Sequence, residues 1–442
     1  ARGINDRSIR DLPLRMGTAV VAGMKVREIM ARVARDIGFT DVKIVDIIEE
    51  PVLAGMSYYN TNQVQPGENV LVYDFGGGTF DVAIIRVEDG SPNQWTLLAA
   101  DGEQELGGAD IDRTLRSYVI GLLARKERLN HTEYEELLDE GDLYQLDRAV
   151  NGAKERLSWE ERTDILLTNF LGGQIEVELT RSELEKVVLD SKLLEGTFNC
   201  ALRAYRRAWV VSNTEFDMSD RSTDSLIGSA LALGHADLAG FIDRIIVAGG
   251  STKMPLIIEQ IRNRWGDDVV ESAEVIDPIT ATVLGAAGGT TDIGGIVDRL
   301  PFSITIIDAE ARSDNVLYEA YAPTSVHKTN VIERGIKPEK FPFEVASGSN
   351  LKIRIYDPDG GLISEDKVAT GMLGPHFLEV DYFGRILLMR DDKVLQEIDN
   401  PVQQQDQKEL LKRHQEAAEQ RRKNALIAGI KNVTRKPYEA NN

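Results

Sequence analysis

The chain has 442 residues, of which 42% are hydrophobic and 28% charged, and its formal net charge is −21. This length allows two or three domains with their own cores, and the composition is that of a folded globular protein rather than a disordered one. The acidic balance argues against nucleic acid and anionic membrane as partners, and no apolar run approaches the ~20 residues of a bilayer span.

The opening run, ARGINDRSIRD, is polar and basic without a signal-peptide core, and the expectation is a piece of a longer protein. Residues 19–37 read as a helix. Val26, Ile29, Met30, Val33 and Ile37 recur at three- and four-residue steps, Gly38 supplies a stop, and this stripe is expected in the core. Residues 42–48 are strand-like, and Glu49-Glu50-Pro51 opens a short helix running to residue 59. Proline suits the first helical turn, and the carboxylates before it meet the positive end of the helix dipole. Plain N-terminal capping would also account for Glu50.

A polar loop, residues 60–69, leads to two β-branched runs around Gly76-Gly77-Gly78, which read as strand, tight turn, strand. Successive glycines let backbone N–H groups point into one concavity and surround a phosphate, and Thr79 adds a hydroxyl. Asp74 and Asp81 bracket the turn, and two carboxylates beside a phosphate cradle suit Mg²⁺, which takes oxygen ligands and keeps several waters. A hairpin whose glycines only make the turn is the alternative. The flanking Asp residues and Thr79 favour a nucleotide-phosphate turn.

Residues 95–100 form the next strand, and Gly107-Gly108 precede a helix over 110–126. Residues 127–160 are charged and helical, ending in AKERLS, where Lys154 and Ser158 share a face. Strands at 163–167 and 174–179 are joined by Gly172-Gly173, and Thr180 with Glu183 forms a capping box for a helix, with more helix through residue 209. Cys200 lies in that region; as the one cysteine it excludes an intramolecular disulfide framework, suits a reducing compartment and reads as a small buried apolar residue. The histidines, His131, His235, His327, His376 and His414, are scattered without metal-ligand spacing.

Residues 211–236 read as a polar insert. Strand 241–248 ends in Gly249-Gly250-Ser251-Thr252-Lys253 and is followed by a helix to residue 265, an order that lets a ligand lie against a helix N-terminus. A small-residue helix covers 280–288, and residues 290–300 read as a linker. Segments at 302–307, 316–321, 343–345, 351–356, 377–380 and 386–389 form a separate antiparallel β domain, with hairpin turns at 357–361 and 381–384. Residues 401–442 carry nine Lys/Arg against five Asp/Glu and read as a solvated helical tail.

In order, Glu50-Pro51, DFGGGTFD at 74–81, LGGADID at 106–112, AKERLS at 153–158 and GGSTKMP at 249–255 resemble the seventy-kilodalton heat-shock chaperone family (DnaK-like proteins), within the actin-like ATPase superfamily. The resemblance covers residues 41–289. It implies an α/β fold with actin-like, ribonuclease H-like lobes, followed by an antiparallel β domain and a C-terminal helix. The implied domains are a nucleotide-binding domain at 1–289 with an upper subdomain at about 113–240, a linker at 290–300, a peptide-binding β-sandwich at 301–400 and a helical tail at 401–442. The family's first phosphate loop and the segment bearing its catalytic lysine have no counterpart here, so the given chain is expected to hydrolyse little ATP alone.

The resemblance also implies roles. Glu50 and Asp74 would order the water that attacks the γ-phosphate, the catalytic Thr79 would contact the phosphates beside the glycines, and Asp74 and Asp81 would serve Mg²⁺, Asp81 through water. Gly76, Gly77 and Gly78 would contact the phosphates; Gly107, Gly108, Lys154, Ser158, Gly249, Gly250, Ser251 and Lys253 would complete the ATP/ADP site. Many members place a glutamate and an arginine where this chain has Asn151 and Glu155, and an arginine at the position of Lys253. The implied partners are extended peptide segments, co-chaperones and a nucleotide-exchange factor, for a cytoplasmic protein. A non-catalytic, nucleotide-responsive scaffold on the same fold is the alternative, and a filament-forming actin-like protein is a third reading.

Overall fold

The computed structural model describes residues 14–20, 24–37, 44–59, 64–87, 95–213, 230–267, 270, 276–288, 296–299, 303–308, 313–318, 323–327, 339–345, 351–356, 362–368, 374–380, 386–391 and 393–398. Strand β1 (Leu14–Thr18), helix α1 (Met24–Asp36) and strand β2 (Ile44–Glu49) make a βαβ unit whose strands pair in parallel, with Thr18 opposite Glu49. Helix α1 departs from the expectation for its stripe. Among its described side chains Ala31 and Ala34 are buried and Met30 is half-buried, whereas Val26, Ile29, Val33 and Ile37 are exposed, Ile37 by 56%. The periodicity found an amphipathic face, but the helix packs through the small residues beside it. The stop at Gly38 lies outside the described residues.

Helix α2 (Glu50–Tyr59) follows without a break, and then β3 (Asn69–Phe75), β4 (Thr79–Val87) and β5 (Trp95–Gln104) form an antiparallel meander. Helices α3 (Gly108–Lys126), α4 (His131–Glu135) and α5 (Glu140–Leu157) come next. The hairpin β6 (Arg162–Phe170) and β7 (Gly173–Thr180) then leads to α6 (Arg181–Asp190) and α7 (Leu193–Asn213). The Thr180–Glu183 capping box forms as expected: the Thr180 hydroxyl accepts from the Glu183 N–H, and the Glu183 carboxylate accepts from the Thr180 N–H at 2.9 Å. Cys200 is fully buried, and burial pushes its thiol up to about 12.

The chain continues through α8 (His235–Leu238), β8 (Arg244–Ala248), a single 3-10 turn (Gly250–Lys253), α9 (Pro255–Trp265) and α10 (Ala281–Gly288). Most of the insert at 211–236 lies outside the described residues. Strand β8 pairs in parallel with β3, so the meander gains a neighbour whose C-terminal end meets that of β3. Strand β9 (Ile296–Arg299) lies within the 290–300 segment and pairs in parallel with β5, giving the sheet order β12-β9-β5-β4-β3-β8, where β12 is Pro323–His327.

Period-two alternation in β3 and β4 divides their side chains between two cores. Leu71, Tyr73, Phe75, Phe80, Val82 and Ile84 join the core formed with α3, α5, α7 and α9. Val70, Val72, Ala83 and Ile85 join the other, with α2. Because both faces are covered, these strands are apolar almost throughout, and any carboxylate on them is buried by position.

The remaining strands are β10 (Ser303–Asp308), β11 (Ser313–Tyr318), β13 (Glu339–Val345), β14 (Leu351–Tyr356), β15 (Leu362–Val368), β16 (Gly374–Val380), β17 (Ile386–Arg390) and β18 (Lys393–Ile398). They form two four-stranded antiparallel sheets, β11-β10-β14-β15 and β13-β16-β17-β18. Ile304, Ile353 and Ile355 of one sheet share a core with Leu378, Val380 and Leu388 of the other. The alternation read in residues 351–355 is present, with Leu351, Ile353 and Ile355 buried. The turns expected at 357–361 and 381–384 and the tail at 401–442 lie outside the described residues.

Candidate functional site

The site grows from the β3–β4 hairpin. Asp74 and Asp81 are direct cross-strand partners, and the Gly76 N–H donates to the Thr79 carbonyl at 3.0 Å to close the turn. Both carboxylates lie on the α2 side of the sheet, Asp74 7% and Asp81 2% exposed. The Asp81 carboxylate accepts from the Thr79 hydroxyl at 2.9 Å and from the Val20 N–H at 2.7 Å. The second contact ties the end of the β1 segment to the hairpin, and nothing in the sequence announced it.

Glu50 begins α2 and is the third carboxyl of the group. Burial raises its pKa. Asp74 is pushed up to about 7, first by burial and then by the negative charges of Asp81 and Glu50. A buried carboxyl that feels two neighbouring carboxylates is the donor chemistry a divalent cation relieves. Among the described residues no group of three or more His, Cys, Asp or Glu is arranged to hold a metal ion directly. Mg²⁺ takes oxygen ligands of this kind and readily keeps several of its waters.

Two other glycine turns close on the hairpin. Gly249 ends β8 with φ +83, and a Cβ there would lie 2.3 Å from the Phe75 carbonyl oxygen and 2.6 Å from Asp74 Oδ1. Only glycine meets both conditions, so the second turn sits directly against the first carboxylate. Ser251, two residues on, donates from its hydroxyl to the Gly76 carbonyl at 2.8 Å. From the other side, Gly107 precedes α3, and a Cβ on it would meet Gly77 and Gly78 backbone atoms at 2.7–2.8 Å.

The first N–H groups of α3 have no partners within the helix, and the turn satisfies two of them. Gly108 N–H donates to the Gly76 carbonyl at 3.0 Å and Ala109 N–H to the Gly77 carbonyl at 2.8 Å. The positive end of α3 is thus aimed at the turn, whose tip residues Gly77 and Gly78 stay exposed. Lys154 reaches the same place from α5, its ammonium donating to the Gly108 carbonyl at 3.1 Å and to Asp112 Oδ2 at 3.0 Å. Asn151, one turn back, also donates to Asp112 Oδ2. The organising role of Asp112 escaped the sequence reading, although it stands in the LGGADID run.

Ser158 caps the end of α5, its hydroxyl donating to the Lys154 carbonyl at 3.3 Å. Lys253 closes the 3-10 turn opposite, paired with Asp277 at 3.0 Å. The structure therefore brings Asp74, Thr79, Asp81, Gly76–78, Gly107, Gly108, Lys154, Gly249 and Ser251 together around one turn. Glu50 borders it through the carboxylates, and Ser158 and Lys253 stand further out.

Among the described residues no helix is long and apolar enough to cross a membrane. Residues 35–217 match the family model described as Hsp70 protein. That segment holds the hairpin, α3 and α5, and the match supports a chaperone-type, ATP-binding function in general terms. This segment of the chain, the one that carries the β3–β4 turn and the helices closing on it, is therefore similar to the seventy-kilodalton heat-shock family.

Proposed function

We propose that this chain carries the nucleotide site and the peptide-binding domain of an ATP-dependent chaperone, in which the nucleotide state gates binding of extended peptide. In this reading residues 1–289 form the nucleotide domain, whose central sheet also takes in β9 from the expected linker at 290–300 and β12 from the expected sandwich at 301–400, and β10, β11 and β13–β18 form the peptide-binding sandwich. The observation that carries it is the meeting of three glycine-bearing segments and a lysine at a turn flanked by buried carboxylates. Phosphoryl transfer is chiefly positioning and charge stabilisation, and those are what this constellation offers.

Asp74 and Asp81 would hold Mg²⁺, Asp81 through water, and the metal would neutralise charge on the β- and γ-phosphates. Gly76, Gly77, Gly78 and Thr79 would face those phosphates, with Gly107, Gly108, Lys154, Gly249, Gly250 and Ser251 around them. Glu50 and Asp74 would orient water; a carboxyl at about 7 is balanced between accepting and releasing a proton near neutral pH. Ser158 and Lys253 would border the nucleoside.

Peptide binding rests on the sandwich, which lies beyond the matched segment. The test is the affinity of a fluorescent extended peptide for the full chain with ADP and with ATP, both with Mg²⁺. Weaker and faster-exchanging peptide in ATP supports gating. Nucleotide binding without any peptide binding would overturn the chaperone half and leave a nucleotide-responsive scaffold.

A further inference from the structure

Beyond the phosphate turn, two side chains face each other across the mouth of the site. Trp159 follows the cap of α5 and is 71% exposed, a costly place for an indole. Lys253 comes from the opposite lip, its ammonium 5.9 Å from the centre of the Trp159 ring and held by Asp277. Trp159 thus stands in the turn just beyond the C-cap Ser158 of the helix that carries Lys154.

The polar groups of α5 nearest the turn are already committed. Asn151 and Lys154 both donate to Asp112, and Lys154 also donates to the Gly108 carbonyl. Beside the exposed Glu155 and a Ser158 hydroxyl that already donates to the Lys154 carbonyl, what the mouth chiefly offers a base is a flat aromatic face and a cation. Any base has a π-face, so stacking of this kind is tolerant of base identity.

We propose that the indole of Trp159 is the stacking platform for the base of the bound nucleotide, with Lys253 closing from the other side, and that the site discriminates weakly between purines. This rests on the nucleotide reading given above. The experiment is calorimetric titration of the full chain, in Mg²⁺, with ADP, GDP and inorganic pyrophosphate, for the native sequence and for Trp159→Ala and Trp159→Phe. Trp159 is exposed, so neither substitution threatens the fold.

The expected result is ADP and GDP affinities within about threefold of each other, and a loss of about tenfold or more for both in Trp159→Ala. Trp159→Phe should lose less, and pyrophosphate should bind all three proteins equally. Indole fluorescence should change with ADP but not with pyrophosphate, and that change should vanish in Trp159→Phe. Unchanged ADP affinity in Trp159→Ala, or GDP binding a hundredfold weaker than ADP, overturns the platform while leaving the phosphate cradle standing. Failure of both ADP and pyrophosphate to bind the native chain overturns the cradle, and the platform with it.

Discussion

Two hairpins of this chain each set two carboxylates directly across from one another: Asp74 against Asp81 in β3–β4, and Asp164 against Glu178 in β6–β7. Both turns contain glycine. In β6–β7 the acidic side chains lie on the wet face, with Thr163, Ile165, Leu167, Val177 and Leu179 buried beneath the other, and Arg162 approaches Glu178 at 3.9 Å. In β3–β4 both faces are covered by helices, and the pair has no wet face to use. Two unit charges 4 Å apart interact by about 1 kcal/mol in bulk water and about 4 kcal/mol near a protein surface. The same pairing is a solvated detail in one hairpin and a strong demand for positive charge in the other. What distinguishes them is the surroundings: the Gly249 turn, the start of α3 and Lys154 converge on one glycine turn and are absent from the other.

The largest effect is expected from filling the contact between turns. Gly249→Val puts a branched side chain at positive φ against the Phe75 backbone and Asp74, and should cost at least about 4 kcal/mol in chemical denaturation and remove nucleotide binding. Gly173→Ala, in the other hairpin, meets its nearest atom at an ordinary 3.8 Å and should change stability by no more than about 1 kcal/mol.

Next comes the pH dependence of stability. Asp74 titrates at about 7 in the folded chain against an ordinary 3.8, so the native state holds the proton more tightly than the unfolded state. The associated stability is fully present below about pH 4 and is lost as pH rises through about 7. Asp74→Asn should remove that loss, gaining a few kcal/mol at pH 8 without ligand and little at pH 4, as followed by denaturation at each pH. Added Mg²⁺ should reduce the gap between the two proteins at pH 8.

A smaller change is expected from Lys154→Met. It breaks the contacts to Asp112 and Gly108 and should lower Mg²⁺-ADP affinity by about tenfold, with a loss of about 1 kcal/mol in stability. Smallest is Asp164→Asn, the counterpart of Asp74→Asn, which should lie within about 0.5 kcal/mol of the native chain at either pH because its site is already solvated.

The sequence carried the site further than it carried some of the fold. DFGGGTFD named both buried carboxylates and the turn between them, because strand propensity, glycine and acid spacing agree there. It did not reveal that Val20 donates to Asp81, or that Asp112 gathers Asn151 and Lys154. Those contacts depend on how separate elements meet, and no local pattern encodes that. Trp159 passed as part of a solvated helix end, since exposure of an aromatic is invisible until its neighbours are placed. The stripe on α1 failed for the converse reason: Val33 and Ile37 have helical spacing, but periodicity does not say what covers a face. In the β domain, strands at Leu362–Val368 and Lys393–Ile398 were missed because charged residues interrupt their alternation, whereas the uninterrupted Leu351–Tyr356 was plain.

The most direct test is calorimetric titration of ADP into the native chain and into Asp81→Asn, each with Mg²⁺ and with EDTA. If the buried acids and the glycine turns together hold a metal-bound nucleotide, the native chain binds ADP far more tightly with Mg²⁺, and Asp81→Asn loses most of that difference. Equal affinity of the native chain in Mg²⁺ and in EDTA, or a full Mg²⁺ effect retained in Asp81→Asn, would contradict it.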